Sequence, residues 1–213
     1  MVNILIILVV AYMLGSIPFG LIIGKMKGID IRKYGSGNIG TSNVGRILGK
    51  KAAIATLLGD GLKGLLPVLL ARVVIGGNPG MLTATGIAAI VGHNWPIWLK
   101  FRGGKGVTTS YGAFLGIAWL PALATILTWV VVTKLTTKSS VAALISSPCA
   151  PIFAWLFRQP LAFVLYGVVT FGMIYIRHVD NIKRILAGTE SRLDDKVPVE
   201  EEASTTPEGE ANN

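Results

Sequence analysis

Long runs of apolar residues dominate the chain and are separated by short polar segments. The runs cover residues 3–24, 52–75, 80–99, 107–133, 139–157 and 160–176. The first of them contains no Asp, Glu, Lys, Arg or His, and about 20 apolar residues suffice for a helix that crosses a bilayer. The pattern predicts an all-α protein, a polytopic membrane helix bundle.

One of these runs, 107–133, is too long for a single comfortable span. Pro121 lies inside it after Trp119, and proline lacks the N–H that an interior helical position donates. We therefore predict two short helices, at about 107–119 and 121–133, joined by a tight turn. This division raises the predicted number of transmembrane helices to about seven.

The positions of lysine and arginine favour an odd number of spans. Cations accumulate on the cytoplasmic side of membrane proteins. With seven spans and the amino end outside, 15 of the 18 cations before Glu190 fall on that side. Six spans would place the last basic cluster on the wrong side, whereas five satisfy the parity but leave a long stretch for two helices. We predict seven, with the carboxyl end in the cytoplasm.

Composition divides the chain near residue 192. Hydrophobic residues make up 52% of it, and the net charge is +9, yet eight of the eleven acids lie from Glu190 onward. That end also lacks aromatic residues and any periodic apolar pattern, which is typical of disorder. We predict one transmembrane domain over 1–192 and a disordered, solvent-exposed acidic cytoplasmic tail over 193–213.

A first polar cluster, residues 34–46, is rich in glycine, amide and hydroxyl side chains. Glycine allows successive N–H groups to converge on an anion, and an arginine offers a planar fork that suits phosphate oxygens. A glycine-rich loop can equally be a mere linker. The candidate residues of this cluster are Ser36, Asn38, Thr41, Asn43 and Arg46.

A second cluster combines Gly92-His93-Asn94 with a Gly-Gly-Lys-Gly sequence that directly precedes the apolar helix at Val107. The free N–H groups and the positive dipole end of a helix start bind anions. The sequence differs from a nucleotide-binding P-loop, which requires Ser or Thr after its lysine. We predict phosphate binding by His93, Gly103, Gly104, Lys105 and Gly106.

Other polar residues lie where helices begin or end. His178 and Asn181 follow the last apolar run, although polar and cationic groups are also ordinary helix ends. Ser139 and Ser140 open a helix and can cap it or touch a ligand. All four are candidate site residues.

Asp60 and Lys63 lie within a predicted span, three residues apart on one helix face. Ionisable residues in a span usually face the bundle interior or a polar cavity. Because these two can pair with each other, we predict that they support the site rather than carry the chemistry.

The residue inventory argues against a metal or a cofactor. The chain has two histidines and one cysteine, Cys149, which lies in an apolar run and excludes an internal disulfide. No nucleotide-binding loop is present, so we expect no cofactor. The lipid bilayer is the expected partner and nucleic acid is not. The sequence leaves the oligomeric state open, and a monomer is compatible with it.

Residues 15–20, 36–46, 60–64 and 92–106 closely resemble the bacterial acyl-phosphate:glycerol-3-phosphate acyltransferases, in the order and spacing of that family. The similarity runs from residue 1 to about 192. It implies an integral enzyme of phospholipid synthesis in the bacterial cytoplasmic (inner) membrane, with its active site facing the cytoplasm. The implied reaction moves a fatty acyl group from acyl phosphate to the 1-hydroxyl of glycerol 3-phosphate, giving lysophosphatidic acid and phosphate.

The chemistry of that reaction suits the residues. Acyl phosphate is already activated, so no covalent nucleophile is needed, and the His-x4-Asp pair of other glycerolipid acyltransferases is absent. We expect Lys105 and Arg46 to neutralise phosphate charge and to brace the developing oxyanion. Either His178 or the phosphate of the donor can accept the hydroxyl proton. The predicted catalytic residues are Lys105, His178, Asn181 and Arg46.

A membrane transporter of a phosphorylated or anionic small molecule is the alternative. Transporters usually place broken helices and ionisable groups near the bilayer midplane, within inverted repeats. Here the polar clusters fall at one predicted membrane face, and no repeat is apparent. An acyl-phosphate-dependent acylation assay beside an uptake assay in liposomes distinguishes the two.

Overall fold

The structure, a computed structural model, describes residues 2–199, with side chains from Ile4 onward. Within this part of the chain every regular element is helical, which confirms the predicted all-α class. The α-helices are α1 (Val2–Gly15), α2 (Phe19–Lys25), α3 (Thr41–Leu48), α4 (Lys50–Ile75), α5 (Pro79–Asn94), α6 (Val107–Ile117), α7 (Trp119–Thr136), α8 (Ser139–Leu156), α9 (Leu161–Arg177) and α10 (Val179–Leu186).

The first apolar run is not one straight helix. It is interrupted between α1 and α2, where the hydroxyl of Ser16 bonds back to the carbonyl of Tyr12 at 2.8 Å. Pro18 precedes α2, and a proline disfavours helical backbone at the residue before it. The backbone of the interruption is bonded locally, since the N–H of Ile17 donates to the carbonyl of Leu14 at 3.1 Å and that of Phe19 to the carbonyl of Ile17 at 3.2 Å.

The long run 107–133 does form two helices, as predicted, but the break lies at Ala118 rather than next to Pro121. Pro121 is instead the third residue of α7, where the N–H of a residue has no carbonyl to bond within the helix. The end of α6 is bonded by Arg72, whose Nη2 donates to the carbonyls of Gly116 and Ile117 at 2.9 and 3.1 Å.

The predicted number of about seven spans is not confirmed. By length and composition, four candidate spans lie within the described residues, at Ile4–Lys25, Lys50–Ile75, Trp119–Thr136 and Ser139–Leu156, and a fifth is possible if α9 and α10, bent by 61°, form one span. Helices α5 and α6 have only 16 and 11 residues, fewer than the roughly 20 that a full crossing needs.

The helices pack through small residues and aromatic rings. Helix α4 lies against α6, α1 against α5, and α8 against α7 and α9. A Cβ atom on Gly112 would overlap the backbone carbonyl of Gly61, so the α4 and α6 backbones are in direct contact, as small residues permit in membranes. Deeper in the core, the rings of Phe114 and Tyr166 stack at 5.4 Å.

The polar connections gather at one end of the bundle. The hydroxyls of Ser42 in α3 and Ser139 at the start of α8 lie 2.7 Å apart. At the same end Lys105, just before α6, donates to Asn181 in α10. The two polar clusters, the serines at the start of α8 and the residues around His178 are thereby brought to a single face, on which the candidate site is built.

The chain stays in contact with this face beyond α10, contrary to the predicted disorder from 193. The N–H of Leu193 donates to the carbonyl of Thr137 at 2.8 Å, and that of Val197 to the carbonyl of Arg46 at 3.1 Å. These backbone bonds need no apolar periodicity, which is why the sequence pattern missed them. The rest of the predicted tail, 200–213, lies outside the described residues.

Candidate active site

A cavity opens at the polar end of the bundle. It contains about 910 Å³ of space not filled by atoms, part of it open to solvent. Most of the predicted site residues line it, namely Ser36, Asn38, Thr41, Asn43, Arg46, Asp60, His93, Lys105, Gly106, Ser139, Ser140, His178 and Asn181. The predicted residues outside its lining are Gly103, Gly104 and Lys63.

Asn43 organises the loop that leads into α3. Its Nδ2 donates to the carbonyls of Ile31, Tyr34 and Asn38 at 2.9–3.2 Å, and its Oδ1 accepts from the N–H of Ser36 at 3.0 Å. With its amide so occupied and the side chain buried, Asn43 shapes the loop. The loop in turn places the hydroxyl of Ser36 beside the cavity.

Arg46 presents a guanidinium to the cavity, and no carboxylate within residues 4–199 is bonded to it. Its Nη2 donates to the hydroxyl of Ser36 at 3.3 Å and to Asn43 Oδ1 at 3.4 Å, while its buried Nε has no partner among the described residues. Burial lowers the pKa of Arg46 from its ordinary value, although a guanidinium stays protonated in proteins. A buried charged donor without a partner points to an anionic ligand.

Lys105 is the second cation of the cavity. Its ammonium donates to Asn181 Oδ1, a neutral acceptor. Burial, together with the neighbouring cations Arg184, Arg46 and Arg177, lowers the pKa of Lys105 to about 8. The charge of Glu190 partly offsets this lowering, but Lys105 forms no ion pair with a carboxylate of the described residues, and an incoming phosphate would supply one.

The two glycines before Lys105 bind the end of α5 rather than the cavity. The N–H groups of Gly103 and Gly104 donate to the carbonyls of Asn94 and His93, both at 3.1 Å. A Cβ atom on Gly104 would overlap the ring of His93. These two N–H groups are thus not free for a phosphate, contrary to the predicted cradle, and the glycines instead allow the loop to pack closely.

Gly106 differs from the other two glycines because it faces the cavity. It has φ +81°, a conformation that favours glycine, and it opens α6 without a side-chain cap. The start of α6 therefore presents uncapped N–H groups next to Lys105, the helix-start arrangement that binds anions.

His178, at the junction of α9 and α10, is a neutral acceptor. Its Nδ1 lies 2.8 Å from the carbonyl of Ile174, and since a carbonyl can only accept, Nδ1 carries the hydrogen and Nε2 keeps a lone pair. Burial and the charge of Lys105 lower the pKa of His178 to about 4. The imidazole is therefore uncharged near neutral pH.

Glu190 is a site residue that sequence reasoning missed. The sequence showed it only as the first of the eight acidic residues near the end of the chain, but only 9% of it is exposed. Asn181 Nδ2 donates to its Oε1 at 2.6 Å and Arg184 Nε to its Oε2 at 2.8 Å. Burial opposes ionisation, yet hydrogen bonds such as these outweigh it and hold the pKa of Glu190 below its usual value. The carboxylate thereby orients Asn181 so that its oxygen meets Lys105.

Asp60 and Lys63 pair as predicted, with 2.7 Å between Oδ1 and Nζ. Lys63 also donates at 2.7 Å to the carbonyl of Ile17, which lies in the break between α1 and α2 and also accepts from the N–H of Phe19. His93 Nδ1 lies 3.8 Å from Asp60 Oδ1. The pair therefore links the broken first helix to the wall of the cavity, and its supporting role in the reaction stays a prediction.

An apolar groove leads away from the cavity between α4, α6 and α7. It holds about 880 Å³ of empty space, part of it open, and is lined almost entirely by aliphatic and aromatic side chains. The groove and the cavity share four lining residues: Leu57, Val107, Thr108 and Trp129. A ligand with a phosphate at one end and an alkyl chain at the other would fit across the two.

Comparison with known proteins agrees with this geometry. The family model for glycerol-3-phosphate acyltransferases matches residues 5–188 of the chain. The chain belongs to the glycerol-3-phosphate acyltransferase family.

Relatives of this acyltransferase cover nearly its whole length. The glycerol-3-phosphate acyltransferase of Rubrobacter xylanophilus is 45% identical over 193 residues, 91% of this chain and 96% of the relative. That of Caulobacter vibrioides is 47% identical over 191 residues, 89% of this chain and 88% of the relative.

Two crystal structures of PlsY (YgiH), an integral membrane glycerol 3-phosphate acyltransferase, share the fold of this acyltransferase. The glycerol 3-phosphate form superposes with a TM-score of 0.86 at 37% identity, covering 89% of this chain and 95% of the other. The lysophosphatidic acid form gives a TM-score of 0.84 with the same identity and coverage. The likeness makes the chain an integral membrane protein with several apolar helices.

The acyltransferase has other cavity-lining residues that were not predicted. The polar ones, besides Glu190, are Arg184 in α10, Ser42 in α3, Ser191 and Arg192 after Glu190, and Thr108 in α6. Arg184 and Arg192 are cations, as are residues of the other clusters, and their charge is the only feature of the sequence that could have identified them. No group of three or more His, Cys, Asp or Glu side chains that could hold a metal lies between residues 2 and 199.

Proposed function

We propose that this acyltransferase transfers a fatty acyl group from acyl phosphate to the 1-hydroxyl of glycerol 3-phosphate, giving lysophosphatidic acid and phosphate. The observation that carries the proposal is the junction of the cationic cavity with the apolar groove at Leu57, Val107, Thr108 and Trp129. Acyl phosphate and lysophosphatidic acid both have a phosphate near an alkyl chain, so both match this junction.

Charge in the cavity supports two phosphate-bearing substrates. Arg46 and Lys105 approach it from different elements, and neither forms an ion pair with a carboxylate of the described residues. The uncapped start of α6 adds N–H groups beside Lys105. We assign these groups to neutralising phosphate and to stabilising the oxyanion that forms when the acyl carbonyl is attacked.

The proton of the attacking hydroxyl goes to the leaving phosphate. With a pKa of about 4, His178 is a weak base near neutral pH, and its Nε2 is better suited to accept a hydrogen bond that orients the hydroxyl. In this step the hydroxyl oxygen bonds to the acyl carbon, the bond from that carbon to the phosphate oxygen breaks, and phosphate departs with the proton. No covalent enzyme intermediate and no cofactor take part.

We place the enzyme in the bacterial cytoplasmic membrane, with the amino end outside and the site facing the cytoplasm. The cation distribution supports this orientation, because Arg46, Lys105 and Arg184, each from a separate basic segment, line the cavity. Soluble glycerol 3-phosphate would then enter from the cytoplasm, while the acyl chain occupies the groove beside the lipid.

The test is acylation of radiolabelled glycerol 3-phosphate by the purified protein in detergent. We expect lysophosphatidic acid with acyl phosphate as donor, unchanged by a chelator, and only background with acyl-CoA. Lys105→Ala serves as the negative control, and uptake of labelled glycerol 3-phosphate into liposomes runs in parallel. Product formation from acyl-CoA alone, or uptake without acylation, would contradict the proposal.

A further inference from the structure

Arg177, the last residue of α9, donates hydrogen bonds to the loop of residues 103–106, here called the glycine loop. Its Nη2 donates to the carbonyl of Gly103 at 2.8 Å and its Nε to the carbonyl of Gly104 at 3.1 Å. Its guanidinium carbon also lies 5.8 Å from the centre of the Trp95 ring. Arg177 is not among the residues that line the cavity, and no ion pair of the described residues includes it.

The glycine loop is consequently held through both its N–H groups and its C=O groups. The N–H groups of Gly103 and Gly104 are held by carbonyls at the end of α5, and their C=O groups are held by the fork of Arg177. Three successive peptide groups, 102–103, 103–104 and 104–105, are held in this way, and the middle one, bonded at both its N–H and its C=O, has little freedom to rotate. The direction in which the next residue, Lys105, leaves the backbone is therefore set jointly by α5 and α9.

Arg177 also acts on Lys105 through charge. Burial is the main cause of the lowered pKa of Lys105, and the positive charge of Arg177 is one of the smaller contributions in the same direction. Release of the loop would expose the ammonium, and loss of the guanidinium would remove a repulsion. Both changes would raise the pKa of Lys105.

We infer that Arg177 is a positioning residue for the acyl transfer, which holds the Lys105 ammonium in place through the carbonyls of Gly103 and Gly104 without touching substrate. The inference rests on the proposed function, since it assigns to Lys105 a contact with phosphate. A planar fork is required because two carbonyls must be bonded at once, which an ammonium on a flexible stem does not reproduce.

The experiment compares Arg177→Gln and Arg177→Lys with a matched control, Arg72→Gln. Arg72 likewise donates to two successive carbonyls, at the far end of α6, but lies away from the cavity. We expect Arg177→Gln to lower kcat/KM for glycerol 3-phosphate by about tenfold. In the wild type, deprotonation of Lys105 should make kcat/KM fall at high pH, the alkaline limb of the pH profile, and in Arg177→Gln this limb should move above pH 8. Arg177→Lys should recover only part of the loss. Arg72→Gln should stay within about twofold of wild type.

A double variant supplies the decisive readout. If Arg177 acts through Lys105, Arg177→Gln should cost no further activity in the Lys105→Ala background. The inference would be overturned if the activity losses of the two single variants added in full in the double variant, or if the alkaline limb of Arg177→Gln did not move. Equal losses of activity in Arg177→Gln and Arg72→Gln would also overturn it. Should Arg177→Gln fail to fold in detergent, the same cycle is run with Arg177→Lys. Wild-type activity of Lys105→Ala would instead contradict the proposed function itself.

Discussion

At the scale of single residues, the cavity holds two kinds of cation. Arg184 is bonded to a carboxylate, that of Glu190, at 2.8 Å. Arg46 and Lys105 are partly or largely buried but bonded to neutral oxygens. Placing a cation in a protein interior without a counter-charge costs free energy, which an anionic ligand returns on binding. Arg46 and Lys105 are therefore the kind of cation that a phosphate-binding site requires.

The fall in kcat/KM at high pH, the alkaline limb of the pH profile, should reflect deprotonation of Lys105. The ammonium is protonated below its pKa of about 8, so its contact with phosphate is present at lower pH and lost as the pH rises through 8. The second pKa of a phosphate monoester is about 6, so the substrate does not titrate in this range. We expect kcat/KM for glycerol 3-phosphate to fall above pH 8 in the wild type.

The matched variant for this prediction is Lys105→Arg, whose side chain stays protonated at every accessible pH. Its limb should disappear even if its overall activity is lower. Lys105→Ala should lose about ten- to hundredfold in kcat/KM, the worth of a charged hydrogen bond, and show no limb. If the alkaline limb persists near pH 8 in Lys105→Arg, a group other than Lys105 causes it.

His178 should not produce an acidic limb near its reference pKa of about 6.5. Burial moves the pKa of His178 to about 4, so the imidazole gains its proton only well below neutral pH. We expect the profiles of wild type and His178→Ala to have the same shape between pH 5.5 and 7, with kcat reduced in the variant. A limb in this range that only the wild type shows would establish His178 as the general base.

At the scale of helices, the contact between α4 and α6 shapes the groove. The two backbones touch at Gly61 and Gly112, and both residues also line the groove. Because the two helices are close together, the groove opens where α7 separates from them. Aliphatic side chains on all three helices, such as Leu65, Leu115 and Ile126, cover its inner surface.

Narrowing the groove should change the preferred acyl chain. Ile126 lies one turn of α7 beyond Trp129, the residue shared with the cavity. We expect Ile126→Trp to disfavour long acyl phosphates, by about fourfold in kcat/KM for each methylene excluded, since burial of a methylene is worth about 0.8 kcal/mol. Short donors should be used as before. The measurement is kcat/KM for a series of donor chain lengths.

Leu127→Trp is the control for the chain-length series. Leu127 is the next residue of α7, is exposed, and is not part of the groove lining. Its chain-length profile should match that of the wild type. Equal profiles for both tryptophan variants would mean that the acyl chain lies elsewhere.

At the scale of the whole molecule, the connections divide between two ends. The cavity end holds the loop before α3, the glycine loop, the start of α8 and the segment after α10. At the opposite end the hydroxyl of Thr83, near the start of α5, donates to the carbonyl of Ala162 in α9 at 2.9 Å. Polar loops on one end and short connections on the other suit a membrane enzyme that draws substrate from one compartment.

Cysteine labelling should report which end faces the cytoplasm. In a Cys149→Ala background, Lys27→Cys and Gly77→Cys place single exposed thiols at the two ends. Gly77 is chosen over Asn78 because the Asn78 side chain caps α5. We expect an impermeant maleimide to label Gly77→Cys in intact cells and Lys27→Cys only after permeabilisation. The reverse pattern would invert the proposed orientation.

The sequence by itself determined the class of protein and most of the chemical groups of the site. Apolar runs predict membrane helices because each residue type carries its own cost of transfer into lipid, whatever its neighbours. Likewise, the sequence is enough to identify Arg46, Lys105 and His178 as candidate site residues, because their side chains suit phosphate chemistry and adjoin glycine-rich or helix-end segments. Properties of this kind belong to residues and short segments, so they are readable without a fold.

Only the tertiary structure decided which groups are free to act. The N–H groups of Gly103 and Gly104 are bonded to carbonyls of α5, and Glu190 is buried against Asn181. The low pKa of His178 likewise arises from burial and from the charge of Lys105. Each of these depends on contacts between different segments, from Asn181 and Glu190, nine residues apart, to Lys105 and His178, which belong to different helix junctions. Hydrogen-bond occupancy and desolvation are set by such neighbours, and a sequence pattern does not contain them.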